Sequence, residues 1–72
     1  MTKKELDFVV FCIENVAERL SMNGADVYRL LVEDSRLLDE YIVASYDALH
    51  TQGKDYIVDD ITEYMREVGL IA

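Results

Sequence analysis

The sequence predicts an all-α fold, a compact bundle of about four short helices in a single domain of residues 1–72. Apolar residues recur along the chain at the spacing of amphipathic helices. Proline is absent, and the three glycines, Gly24, Gly53 and Gly69, lie where short turns would separate helices. Hydrophobic residues make up 51% of the chain, which is too large a share for a disordered protein.

The first helix is expected over residues 3–21, starting from a capping box in which Thr2 and Glu5 hydrogen-bond each other's backbone amides. Its apolar residues form two stripes. The main stripe, expected to face the core, consists of Leu6, Val9, Val10, Ile13, Val16, Ala17 and Leu20. Phe8, Phe11 and Cys12 lie on nearly the opposite side. Because a surface helix needs only one apolar stripe, this second group predicts an interface.

The remaining helices are expected over residues 24–33, 36–50 and 54–68. Asn23 and Ser35 are suitable N-caps for the second and third helices. The β-branched pair Ile42 and Val43 and the nearby Ser45 lower helix propensity, which allows a kink or split in the third helix. Gly69 follows the fourth helix, at a position where glycine commonly adopts a left-handed conformation.

Fifteen acidic residues against seven basic ones give a net charge of −8 and a sequence pI near 4.3. Phosphate backbones and anionic lipids repel such a chain. No apolar run approaches the ~18 residues of a membrane span, and no signal peptide is evident, so we expect a cytoplasmic protein. One cysteine and one histidine exclude an internal disulfide and an all-Cys/His metal cluster. We expect no cofactor.

Neither of the two most reactive side chain types indicates an enzyme. Cys12 lies mid-helix without cationic neighbours in sequence, which is typical of a small buried hydrophobe. His50 has no evident nucleophile to activate, and it lies where the third helix should end. We therefore expect His50, Thr51 and Gly53 to fix the turn between the third and fourth helices.

The candidate interface also includes aromatic residues. Tyr46 and Tyr56 fall outside the apolar stripes, and tyrosine is enriched in interface hot spots. Together with Phe8, Phe11 and Cys12, they predict a surface that binds a protein partner. Self-association is also expected, because a core of this size rarely supplies more than ~3–5 kcal/mol of net stability.

An alternative function is a DNA-associated transcriptional regulator with a degenerate helix-turn-helix in residues 24–41. Its second helix would carry Arg36 but also Asp39 and Glu40. Because base readout and phosphate contacts need cationic or amide side chains, nucleic acid binding is the weaker prediction.

Four segments carry a family resemblance: FVVFCIE at 8–14, VYRLL at 27–31, YDALHTQG at 46–53 and YIVDDI at 56–61. They resemble short, acidic, helical bacterial proteins of the domain of unknown function family 3791. The resemblance implies a gene beside others resembling ADP-ribosyltransferases, as in toxin–antitoxin pairs. It therefore implies an antitoxin-like partner that neutralises a neighbouring-gene enzyme. It assigns no catalytic residues.

Overall fold

Five helical segments make up the chain, and a computed structural model describes all of residues 1–72. The segments are α1 (Lys3–Leu20), α2 (Gly24–Val32), a π-helical segment (Leu38–Val43), α3 (Tyr46–Leu49) and α4 (Lys54–Glu67). The structure is 72% helical and contains no strand, which confirms the predicted all-α class. None of the helices is both long enough and apolar enough to cross a membrane.

The predicted capping box at the start of α1 is confirmed. The Thr2 hydroxyl accepts a hydrogen bond from the Glu5 amide at 3.1 Å, and the Glu5 carboxylate accepts one from the Thr2 amide at 2.8 Å. The bond from the Thr2 amide lowers the pKa of Glu5, because it favours the ionised carboxylate. These bonds satisfy two amides that the helix itself leaves without partners.

Left-handed residues end both α1 and α4. Gly69 adopts φ 81°, as predicted, and the Leu70 amide donates back to the Met65 carbonyl at 2.9 Å. Ser21 adopts φ 55° after α1, and the equivalent backbone bond closes that helix too. A left-handed conformation costs a residue with a Cβ about 1–2 kcal/mol, whereas glycine adopts it readily. Gly69 therefore suits the end of α4, and Ser21 is the less favourable residue at the end of α1.

Two polar side chains organise the connection around α2. Asn23 is the predicted N-cap, and its side chain accepts a hydrogen bond from the Asp26 amide at 2.8 Å. After α2, the Ser35 hydroxyl donates to the Leu30 carbonyl at 2.8 Å and accepts from the Leu37 amide at 3.2 Å. Ser35 therefore joins the last turn of α2 to the start of the next helical segment.

The predicted third helix is split, as its β-branched pair indicated. The π-helical segment includes Ile42 and Val43, and a turn at Ala44 and Ser45 separates it from the single turn of α3. The chain changes direction at this break, and Ile42 before the turn and Leu49 after it are both buried in the core.

The core surrounds α1, which packs against α2, the π-helical segment and α4. Fifteen buried apolar residues form one cluster; those that solvent does not reach are Cys12, Val16, Val27, Leu31, Ile42, Ile61 and Met65. Within α1, the buried arc is centred on Val9, Cys12 and Val16, between the two predicted stripes. Because other segments cover α1 from several sides, neither stripe alone is the core face.

This arrangement corrects the predicted orientation of α1. Phe8 and Cys12 were expected at an interface and are buried in the core. Leu6 and Val10 were expected in the core and are exposed, by 52% and 46% respectively. The prediction failed because a helix with apolar residues around most of its circumference does not reveal which arc its neighbours cover.

Candidate protein-binding groove

A groove of about 340 Å³ lies where α1, α2 and the start of the π-helical segment meet. Its floor consists of core side chains, namely Val9 from α1, Leu31 from α2 and Leu38 from the π-helical segment. Each of these comes from a different segment, so the floor exists only when all three pack together. We call this feature the α1–α2 groove.

Exposed apolar side chains form the walls of the groove. Leu6 lines it from α1, and Met1 lines it from the residues before α1. Tyr28 and Val32 line it from α2, with exposed fractions of 50% and 38%. Tyr28 and Val32 have i, i+4 spacing, which places them one above the other on the surface of α2. Large apolar residues therefore border the groove on both sides.

Charged side chains occupy the rim. Arg36 and Asp39 both line the groove. The Arg36 guanidinium lies 3.6 Å from the Glu40 carboxylate, whereas Asp39 forms no ion pair. An apolar floor with a polar rim is the usual anatomy of a protein interface.

A second cleft, of about 140 Å³, lies between α1 and α4 and is mostly polar. Arg19 is its principal cation from α1, and its guanidinium pairs with the carboxylates of Asp59 and Asp55 from α4. These ion pairs belong to the packing of α1 against α4, and they compensate the positive charge of Arg19.

A third cleft, of about 150 Å³, adjoins the stacked rings of Tyr41 and Tyr64, whose centroids are 4.2 Å apart. The Tyr41 hydroxyl donates a hydrogen bond to the Asp60 carboxylate. Burial, followed by this bond, raises the pKa of Tyr41 well above the ordinary value for a phenol. The bond ties the π-helical segment to α4.

The residues predicted to form the interface do not share one surface. Phe8 packs edge-on against Tyr46 at a centroid distance of 5.4 Å and stacks with the half-buried Phe11 at 6.4 Å. Cys12 is buried, and this burial raises the pKa of its thiol to about 12. Only Tyr56, on α4, is largely exposed, at 57%. Burial in the core makes the interface assignment of Phe8 and Cys12 wrong.

The predicted turn residues differ in what they contact. The His50 ring stacks on Tyr46 at 4.2 Å, and its Nδ1 lies 2.6 Å from the Tyr46 carbonyl oxygen. Thr51 is exposed. Gly53 begins α4 with φ −70°, and nothing lies within 4 Å of the position that a Cβ would occupy. Neither a close contact nor a positive φ requires glycine at 53, and the roles of His50, Thr51 and Gly53 in the turn stay predictions.

Sequence reasoning missed the four exposed apolar residues that line the groove. Leu6 was assigned to the core, and Met1, Tyr28 and Val32 were given no role. The only sequence signal was the excess of apolar residues on α1, which indicated a surplus face without identifying it. Locating that face needs the positions of α2 and α4 relative to α1.

Residues 7–68 match the family model described as protein of unknown function, DUF3791. The chain belongs to this family. The match begins in the first turns of α1 and extends to the end of α4, so it covers the groove apart from its N-terminal edge. No curated protein and no solved structure matches the chain. The match confirms the predicted family of unknown function.

Proposed function

We propose that this protein is a small acidic protein-interaction module without catalytic activity, and that it binds its partner through the α1–α2 groove. The observation that carries the proposal is the set of exposed apolar residues that line that groove: Met1 and Leu6 at the start of the chain, and Tyr28 and Val32 on α2. Contiguous apolar surface of this kind marks interaction sites more often than it occurs by chance on a monomer.

The energetics favour a modest affinity. Fully burying an apolar side chain contributes about 1.5–3 kcal/mol, so covering four that are half exposed contributes roughly 3–6 kcal/mol. Anchors on the partner would contribute a similar amount. Association costs about 4–15 kcal/mol in lost freedom of motion, so the two contributions are comparable. A reversible partner therefore fits this groove better than a permanent subunit.

The finer proposal is that the protein acts like an antitoxin, as the neutralising partner of an ADP-ribosyltransferase-like enzyme from a neighbouring gene. The family resemblance supports this idea by implying such gene pairs. A small domain that covers part of an enzyme can block its substrate site without performing chemistry itself. The α1–α2 groove supplies a surface for such a contact.

We do not propose self-association through Phe8, Phe11 and Cys12, because these residues support the core.

A DNA-associated regulator is the alternative function. The exposed side chains Asp39 and Glu40 on the π-helical segment weigh against it, since they would face phosphates. An electrophoretic mobility shift assay at moderate salt separates this alternative from protein binding.

The test is co-expression with the ADP-ribosyltransferase-like protein encoded beside the gene. We expect the wild-type chain to co-purify with that enzyme and to relieve its toxicity. Tyr28→Ala should weaken co-purification about tenfold or more, as truncation of an interface tyrosine typically does.

Tyr56→Ala provides the matched control, because Tyr56 is a similarly exposed tyrosine on α4 and does not line the groove. Circular dichroism should show that both variants fold. Equal binding by the Tyr28 and Tyr56 variants would contradict the proposed surface. Unchanged toxicity despite binding would contradict only the antitoxin-like role.

A further inference from the structure

We infer that Tyr41 is a positioning residue for the α1–α2 groove. Its contacts with α4 hold the π-helical segment in the shape that places Leu38 in the floor of the groove and Asp39 on its rim. This inference rests on the proposed function, because it identifies what keeps the proposed binding surface in place.

The π-helical segment separates two clefts. Leu38 and Asp39 line the α1–α2 groove, whereas Glu40 and Tyr41 line the third cleft, beside Tyr64 of α4. Consecutive residues of one helical turn therefore line different clefts. A rotation of this turn that moved Tyr41 away from α4 would also move Leu38 and Asp39 relative to the groove.

Helical geometry explains why Leu38 and Tyr41 line different clefts. In an α-helix, residues three apart are neighbours on one face. A π-helix closes its turn with i→i+5 hydrogen bonds, and this wider turn separates such residues. Bonds of the α-helical type lie at both ends of the segment: the Glu40 amide donates to the Arg36 carbonyl at 2.8 Å, and the Ser45 amide donates to the Tyr41 carbonyl at 2.9 Å. The wider turn is therefore confined to one short stretch.

This turn needs support from outside, because π-helices are rare and mostly occur as single turns. Packing on α1 and α2 buries Leu38 and Ile42. On the side of α4, the Tyr41 hydroxyl donates to the Asp60 carboxylate, and the Tyr41 ring stacks on Tyr64. Asp60 and Tyr64 are four residues apart, so they lie one above the other on α4. Together they fix the position of Tyr41 and thereby that of the turn.

Tyr41→Phe tests the inference, because it removes the hydroxyl that bonds to Asp60 and keeps the ring that stacks on Tyr64. Tyr64→Phe is the matched control, since it removes a hydroxyl from the other ring of the same stack and leaves the bond between Tyr41 and Asp60 intact. Circular dichroism should show that both variants fold.

Hydrogen exchange of the backbone amides measures opening of the segment without any partner. Tyr41→Phe should speed exchange at residues 38–45 about tenfold relative to the amides in the middle of α1, as loss of a hydrogen bond to a charged group can do. The amides of α1 serve as the reference because they report unfolding of the whole domain. Tyr64→Phe should leave the ratio of the two rates near that of the wild-type chain.

Binding of the ADP-ribosyltransferase-like protein encoded beside the gene provides the second measurement. Tyr41→Phe should weaken this binding roughly fivefold at a temperature where every variant is folded, and Tyr64→Phe should leave it near the wild-type value. Phe8→Leu should also bind as the wild-type chain does, because Phe8 supports the core without lining the groove. This variant separates positioning from a general loss of stability.

Variants of Asp60 test the partner of the Tyr41 hydroxyl. Asp60→Asn keeps an oxygen that can accept the hydrogen bond, so it should bind the enzyme nearly as tightly as the wild-type chain. Asp60→Ala should weaken binding as much as Tyr41→Phe does. Combining these two substitutions should add little to either loss, because both remove the same bond.

Equal exchange ratios in the Tyr41→Phe and Tyr64→Phe variants would overturn the inference. Wild-type affinity of Tyr41→Phe for the enzyme would overturn it as well, and so would additive losses in the double variant. Failure of the wild-type chain to bind the enzyme would instead reject the proposed function, and the exchange ratios would then decide whether Tyr41 positions the segment.

Discussion

The orientation of α1 can be tested by truncating one residue from each apolar stripe. Phe8→Ala removes a buried ring that contacts Tyr46 and Phe11, whereas Leu6→Ala removes a side chain that is about half exposed in the groove. The structure predicts that Phe8→Ala is far more destabilising. The stripe assignment made from the sequence predicts the reverse order, because it placed Leu6 in the core and Phe8 at the surface.

The expected magnitudes differ by several-fold. Truncating a buried phenylalanine costs about 3–5 kcal/mol, which includes the cavity that remains. Leu6→Ala should cost about 1 kcal/mol, since only half of a ~1.5–3 kcal/mol burial is lost. A domain of this size has a net stability of only ~3–5 kcal/mol, so Phe8→Ala should leave much of the chain unfolded at 25 °C. The milder Phe8→Leu, at under ~1.5 kcal/mol, should remain folded.

Urea unfolding followed by circular dichroism measures these differences. With a slope of about 1 kcal/mol per molar urea, the Leu6→Ala midpoint should fall by about 1 M. Phe8→Ala should show no folded baseline, and Phe8→Leu should lie between it and wild type. A free energy of unfolding for Leu6→Ala that is as low as that of Phe8→Ala would refute the orientation of α1 described above.

Four further predictions concern single positions. Both Ser21 and Gly69 have positive φ, so Ser21→Gly should raise the free energy of unfolding by about 0.5–1 kcal/mol and Gly69→Ala should lower it by about 1 kcal/mol. Thermal melts should show shifts of roughly 4–8 °C per kcal/mol in opposite directions. Cys12 should resist iodoacetamide in the native state on the order of 10²-fold relative to urea-unfolded chain, since burial disfavours its thiolate. Because folding raises the pKa of Tyr41, its stabilising contribution is present below the unfolded pKa near 10 and is lost as pH rises through the folded pKa. Tyr41→Phe should therefore flatten the fall in the free energy of unfolding above pH 10. A variant whose stability falls as steeply as that of wild type would contradict this. His50→Ala should lower the melting temperature modestly and leave partner binding intact, and loss of binding without loss of stability would show a contact residue instead.

Features that depend on local chemistry could be predicted from the sequence. The capping box at Thr2, the N-cap at Asn23 and the left-handed Gly69 each involve residues a few positions apart, whose hydrogen bonds do not need the rest of the fold. The split of the third helix followed from the low propensity of Ile42 and Val43. These predictions are confirmed because backbone amides and carbonyls near helix ends have few alternative partners.

The interface could not be predicted in the same way. Periodicity places Leu6 and Phe8 on different faces of α1, but both faces are apolar, and sequence alone does not state which neighbours cover them. The segments that pack on α1 determine which face is buried. Tyr46, which follows the break before α3, packs against Phe8. Phe8 and Tyr46 are far apart in sequence, and their contact helps to bury Phe8 while Leu6 stays exposed to solvent.

The same geometry that removes the predicted interface creates the groove. The neighbouring segments do not cover the whole circumference of α1, and Leu6 and Val10 lie on the arc that stays exposed. α2 adds Tyr28 and Val32 beside it, so the uncovered surface becomes a concave site. An apolar site of this kind would normally favour self-association. The net charge of −8 opposes that outcome, because two copies of the chain repel each other. Under the proposed function, the surplus apolar face binds another protein, and the acidity of the chain opposes its self-association.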